Sequence, residues 1–480
     1  MRSSFFGLET ARRAMSAHRT DMDVIGHNIA NANTEGYRKR DVALSPTRPL
    51  PAAGDQPAMG TGVEVENIQR RTDRYLDREI HRRTGETEMW DTRSRLLQQV
   101  EDILAEPGEG GLSSVMDRFY NAWQNLVSEP DNLAMRTSVI ERGRELGDSF
   151  SLLQRQLGNM LSNLDQTVES RVSRVNDILG EISELNEEIV AAESAGNSPP
   201  DLLDRRDVLT ERLSSLIDVV SEEQDDGGML VTVDRIPVAE SFSHRQMELG
   251  GVDEENNLLL RWTREGGGEI DWEPSAAGEL GALMQLRNED LPDLRNELAE
   301  LADGVRQSVN DVHIGGYDLY EQGGDDTEGV PHFFDPGADP GMLSVNEGII
   351  NDPSRIRAAE SADTVPGDGR VAAEIADLSG EPLPVQNEDG DFVDSDATPG
   401  EYLRSVVADV GIRSEQASNL HDNNDAMLAQ LHNQRDALTG VSIDEELTYL
   451  IQAQQAFSAS ARMVQVWDEM LSTIVNGLVR

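Results

Sequence analysis

The chain has 480 residues, 37% of them hydrophobic and only 4% aromatic, a length for roughly two to four domains and a composition that favours long helices over one sandwich or barrel. It contains no cysteine, which excludes disulfides, thiolate metal sites and cysteine nucleophiles. Lys+Arg 41 against Asp+Glu 90 leaves a net charge of −49, which argues against nucleic acid as a partner, and no apolar run reaches the roughly 18 residues of a membrane span.

Residues 1–30 read as one amphipathic helix. Alternating steps of three and four from Leu8 reach Ala11, Met15, His18, Met22, Ile25 and Ile29, all apolar except His18. Asn28, Asn31, Asn33 and Gly36 stop it, because Asn and Gly tolerate the left-handed conformation at a helix end. Tyr37 to Leu44 alternates, and the prolines and glycines from Pro46 to Gly62 give an irregular stretch. Helical pattern resumes near Asp73 and runs to about Asp218, broken at Pro107–Gly111 and at Pro130–Asp131. Its longest piece carries Leu157, Leu161, Leu164, Val168, Val172, Val175, Leu179, Ile182, Leu185 and Ile189, a coiled-coil-like seam. Gly196–Pro200 turns the chain, Asp201 is placed to cap the next helix, and an antiparallel helical hairpin results.

From 222 to 272 short β-prone pieces (Met229–Val233, Leu258–Trp262) alternate with glycine turns. A helix is expected from Gly278 to about Val312, weakly patterned material from Gly315 to Pro399, and helix again from Glu401, with a break at Gly440. From Ile443 the three-four steps reach Leu447, Leu450, Gln454, Phe457, Ala461, Val464, Asp468, Leu471, Val475 and Leu478, all apolar except Gln454 and Asp468. The two terminal helices each show one narrow apolar seam, to be buried on each other or on neighbouring molecules; packing on the body of their own chain is the alternative. The fold class is therefore mainly α: an elongated helical rod with terminal coiled-coil helices and inserted β-rich or irregular outer segments.

Charge is divided unevenly. Residues 1–100 hold 16 basic and 14 acidic side chains, and the remainder 25 against 76. A near-neutral head on an acidic body suggests that the head is covered while the body meets solvent. Lys39 is the only lysine, which fits either a salt-rich habitat or a genome that favours arginine codons. The first residues lack the apolar stretch of a cleaved signal peptide, so export, if any, is expected by another route.

No catalytic signature stands in context, and neither a cofactor nor a metal is expected. Lys39 follows Arg38 rather than a phosphate loop. The eight histidines are scattered singly, and the Asp389, Asp391, Asp394 and Asp396 cluster lacks the spacing of a helix-loop-helix calcium site.

Two segments resemble the terminal signatures of bacterial flagellar axial proteins. One is His27-Asn28-Ile29-Ala30-Asn31-Ala32-Asn33-Thr34-Glu35-Gly36-Tyr37-Arg38. The other is Gly440-Val441-Ser442-Ile443-Asp444-Glu445-Glu446, continued by Gln454-Gln455-Ala456-Phe457 and Asp468-Glu469-Met470-Leu471. Between them, Ile182–Ile189 with Asp201-Leu202-Leu203-Asp204-Arg205-Arg206-Asp207 resembles the helical hairpin of the flagellar hook-associated protein 1 family, and Gly281-Ala282-Leu283 and Gly316-Tyr317-Asp318-Leu319 are similar to it as well. Hook and distal-rod proteins share the ends, and remain the alternative; the hairpin argues against them.

The resemblance implies a structural adaptor, not an enzyme, at the first junction layer between hook and filament. It implies an extracellular place on the flagellum, reached through the flagellar type III channel. Implied partners are the hook protein, a second hook–filament junction protein, an export chaperone bound through the C-terminal segment, and copies of the chain in a ring. Residues 1–60 and 441–480 would form an inner terminal domain. Residues 61–221, 278–320 and 401–440 would form a helical core, with a β-rich insertion at 222–277 and an outer insertion at 321–400. The expected packing seam is Leu8, Met15, Met22, Ile25 and Ile29 with Leu450, Phe457, Val464, Leu471, Val475 and Leu478. Asn28, Asn33, Gly36 and Tyr37 form the expected joint where the inner helix turns outward.

Overall fold

The computed structural model describes residues 6–49, 60–106, 108, 110–264, 267–274, 277–323, 331–386 and 392–478. Helix α1 (Phe6–Ala30) ends at the asparagine-rich turn, and strands β1 (Arg40–Pro46) and β2 (Val63–Arg70) follow as an antiparallel ribbon. The second strand went unread in the sequence, since its alternation Val63-Glu-Val-Glu carries no large apolar residue beyond valine. Asp73 then caps α2 (Arg74–Leu104), accepting from the amides of Tyr75 and Leu76 at 3.0 and 3.1 Å. Helices α3 (Leu112–Ser128) and α4 (Leu133–Ser194) start after the two expected breaks. At 62 residues, α4 is about 93 Å long, and it is the axis of the rod.

Helix α5 (Pro200–Leu216) returns along α4. It begins at Pro199-Pro200 with no side-chain cap, so Asp201 does not cap it; that carboxylate accepts from Arg40 instead, at 2.5 Å. Two antiparallel sheets come next. One is β3 (Val220–Glu223), β4 (Met229–Val233), β5 (Ile236–Glu240) and β6 (Ser243–His244), paired in that order. The other is β7 (Gln246–Val252), β8 (Leu258–Thr263) and β9 (Ile270–Trp272), also in chain order. Both β4 and β8 bury every second residue, the period of a sheet with one face on a core.

Helix α6 (Gly278–Gln285) runs through one π-helical turn into α7 (Leu291–Gly315). Helix α8 (Glu347–Asn351), helix α9 (Arg370–Asp377) and the ribbon of β10 (Pro384–Gln386) and β11 (Phe392–Asp394) occupy the stretch that looked irregular. Helix α10 (Pro399–Thr439) opens with a Thr398/Glu401 capping box and lies along α2, and α11 (Ile443–Leu478) closes the chain.

The α4 seam is buried as expected, except that Leu161 is only partly covered. Its partner is not one helix throughout: α5 covers part of it, and β5, β7, α6 and α7 cover the rest. Helix asparagines anchor the strands. The side chain of Asn186 accepts from Met229 N at 3.1 Å and donates to Met229 O at 2.9 Å. Asn176 holds Met247 in the same two-bond way, as Asn288 holds Leu258 and Asn310 holds Phe334. A primary amide matches the donor and acceptor of one peptide unit, so a strand residue facing a helix keeps both its backbone bonds.

Residues 331–386 do not stand clear of the rod. Phe333 and Phe334 are fully buried, with ring centres 4.8 Å apart, and Phe333 meets Trp123 of α3 at 5.1 Å. Gly147 of α4 admits this segment, because a Cβ there would come within 2.2 Å of Leu343 O. His313 closes the cluster, accepting from Arg357 N through Nε2 at 3.1 Å. Burial, with Arg357 as a second cause, pushes its pKa down to about 3. The unfolded chain takes up this proton near pH 6.5 and the folded chain does not, so stability is complete above that pH and falls toward pH 3. Denaturant titration should show a loss of about 2 kcal/mol at pH 5 relative to pH 7. His313→Gln should flatten that slope, and an unchanged slope would reassign the effect to other groups.

Candidate functional site at the paired terminal helices

Helices α1 and α11, from opposite ends of the chain, lie side by side. The centre of their contact is built from small residues: Ala11 and Ala17 on α1 with Ala453 and Ser460 on α11, all buried. Small centres let two helices approach closely. Gly7 faces the Trp467 ring, and a Cβ there would come within 2.2 Å of it. Among the expected seam residues Ile25 is buried, at 5% exposure. Leu8, Met15, Met22, Ile29, Leu450, Phe457, Val464 and Leu471 are half-buried, flanking the small centre. Val475 and Leu478 lie outside the residues whose side chains are described. Two helices alone cover only one stripe on each other, so large flanking residues keep an open side.

Helix α11 has a second apolar face. Leu447, Ile451, Met463, Val466 and Met470 are each 44–55% exposed, on the side turned away from α1 at 100° per residue. Stepping along the first seam reached Leu447 and missed the other four, which stand between its positions.

The joint is held by polar chemistry. Asn28 is 1% exposed. Its amide donates to Arg40 O at 3.0 Å and to Glu446 Oε2 at 2.9 Å, while its oxygen accepts from Arg40 N and from the Tyr37 hydroxyl. Gly36 has φ +76°, and a Cβ would fall 2.1 Å from Val208 Cγ2, so backbone and space both require glycine there. Asn33 is exposed. The structure thus brings Asn28, Gly36 and Tyr37 into the turn and leaves Asn33 at its surface.

Three consecutive cations do most of the anchoring. Arg38 makes a bidentate pair with Asp77, at 2.7 and 2.9 Å, and lies 3.3 Å from Asp207. Arg40 and Arg70 meet at Asp204, at 3.0 and 2.7 Å. Burial pushes the Asp204 carboxyl up from its ordinary range, and the two arginines pull it back. Lys39, 3% exposed, places Nζ 2.6 Å from Glu446 Oε1. Glu446 is itself 1% exposed, so removing either partner should cost roughly 3–5 kcal/mol. Sequence reasoning passed over these residues. The available signals were the cation triplet after Gly36 in a chain of net −49, and Asp201, Asp204 and Asp207 recurring every third residue on one face of α5.

Among the described residues no group of three or more His, Asp or Glu could hold a metal ion, and no helix is long and apolar enough to cross a membrane. Half of the aspartate cluster at 389–396, Asp389 and Asp391, lies outside the described residues.

The three parts of this architecture match three family descriptions. Residues 8–38 match a flagella basal body rod protein family, and residues 437–477 the C-terminal family of flagellar basal body rod FlgEFG proteins. Residues 97–327, the hairpin with its sheets, match the helical domain of flagellar hook-associated protein FlgK. Flagellar hook-associated protein 1 of Bacillus subtilis is 28% identical over all of this chain and 99% of its own length. That of Salmonella typhimurium is 22% identical over 97% of this chain and 98% of its own. The chain is thus similar over its whole length to flagellar hook-associated protein 1. The fold agrees: a solved structure of the flagellar hook junction protein FlgK from Burkholderia pseudomallei superposes with a TM-score of 0.63 at 13% identity, over 76% of this chain and 100% of that one. The middle of the chain carries the likeness to hook-associated protein 1, because the two terminal descriptions belong to rod proteins. The chain is a structural protein of the flagellum.

Proposed function

We propose that the chain forms the first junction layer between hook and filament and catalyses no reaction. The observation that carries this reading is the α1–α11 pair, tied rigidly to an acidic body, with a row of apolar side chains on α11 still facing solvent. Exposed apolar side chains on so charged a chain call for a partner, and copies of the chain in a ring supply one. On this reading residues 1–60 and 441–480 are the inner domain. Leu8, Met15, Met22, Ile25 and Ile29 and their α11 counterparts are the packing seam, and Asn28, Asn33, Gly36 and Tyr37 are the joint. The helical core of 61–221, 278–320 and 401–440 stands outside them, with 222–277 and 321–400 as the segments inserted into it. The hook protein lies below the ring and a second junction protein above it. The subunit leaves the cell through the flagellar type III channel, escorted by a chaperone bound to its C-terminal segment, and ends extracellular. Electron microscopy of a strain lacking the gene should show complete hooks without filaments, with filament subunits lost to the medium. Absent or truncated hooks would place the chain lower, as a hook or distal-rod protein, and normal flagella would overturn the reading.

A further inference from the structure

We propose that Lys39 and Glu446 are positioning residues that set the direction in which the α1–α11 pair leaves the body. This rests on the reading that the pair is the inner assembly element, but it can fail separately.

Lys39 is the one lysine among 41 basic residues, and it is placed where three segments cross. Its backbone N donates to Thr439 O, at the end of α10, at 2.8 Å, and its O accepts from Arg71 N, at the entry to α2, at 2.9 Å. Its ammonium turns to α11, 2.6 Å from Glu446 Oε1 and 4.9 Å from the centre of the Tyr449 ring. The other Glu446 oxygen takes the Asn28 amide from the end of α1. Only Gly440, Val441 and Ser442 link α10 to α11, so the covalent chain alone leaves α11 free to swing.

Apolar contacts tolerate sliding, whereas a buried ion pair is satisfied at one separation and is strongly disfavoured once parted. The ammonium sits between a carboxylate and a ring face, and both contacts fix its position. Lys39 and Glu446 thus make one orientation of the terminal pair much better than its neighbours. The seam between α1 and α11 does not depend on them, because it runs from Ala453 and Ser460 outward.

The absence of cysteine permits clean double labelling of the full-length chain. Spin labels at Ser162→Cys on α4 and Ser458→Cys on α11, both exposed positions, report body-to-pair distance by pulsed electron paramagnetic resonance. Labels at Ser16→Cys and Ser458→Cys report the separation of α1 and α11. Lys39→Met, which keeps the stem, and Glu446→Gln, which keeps the bond to Asn28, should each widen the first distribution about twofold and leave the second unchanged. Unchanged widths in both single variants would overturn the proposal. So would widening of both distributions, which would mean that the pair merely holds the two helices together. These distances are read on the free chain, so their outcome is independent of where in the flagellum the subunit acts.

Discussion

Ile25→Asp leaves cells with bare hooks and filament protein in the medium while the body of the subunit stays folded. Ile25 is 5% exposed and lines the same groove as Ala453 and Ala456 of α11. Losing the isoleucine costs about 1.5–3 kcal/mol, and a carboxylate buried in its place adds several more through desolvation. The penalty falls on the α1–α11 contact, which stands apart from the main apolar cluster of the body. The helices therefore part, and the second apolar face of α11 loses its platform. Electron microscopy and an assay of secreted filament protein should match the gene-deletion strain. The melting of the purified variant should stay within a few degrees of the parent. A variant that assembles normally would count against the terminal pair as the assembly element.

Trp123→Ala acts in the opposite place and by a different route. The side chain is fully buried, edge-on to Phe333 at 5.1 Å and to Phe119 at 6.4 Å, with His313 at 6.4 Å. Truncation leaves a cavity where α3, α7 and the 331–345 segment meet, at a cost of roughly 3–5 kcal/mol. With roughly 2–4 °C per kcal/mol for a unit of this size, melting should fall by about 10 °C. Filament formation should be normal at low growth temperature and lost on warming, in step with falling subunit abundance. Early loss at all temperatures with undiminished abundance would mean that this cluster touches assembly directly.

The difference between the two variants mirrors what could be read from residues in order. Helix breaks were legible because they rest on local chemistry, Pro130-Asp131 as a break and Gly440 as a stop, whereas Asp201, read as a cap, pairs with Arg40 instead. The α4 seam was legible because an apolar residue every third or fourth position buries one face whatever covers it. Its cover was not, since Asn186 and Asn176 look like ordinary polar residues until a strand backbone lies against them. Phe333 and Phe334 sat in a glycine- and aspartate-rich stretch with no periodicity, and nothing local says that Gly143 and Gly147, on another helix, leave room for them.

The candidate site divides the same way. The turn at Asn28, Gly36 and Tyr37 and the two terminal seams were present in the sequence, because a left-handed glycine and a helical stripe are properties of neighbouring residues. The anchoring was decided only in three dimensions. Glu446 lies 418 positions from Asn28, and Asp204 lies 164 from Arg40, separations at which no spacing rule operates. A charge shows its worth only when its partner and its burial are known. Lys39 is therefore an unremarkable cation in the sequence and a dry, paired one in the fold.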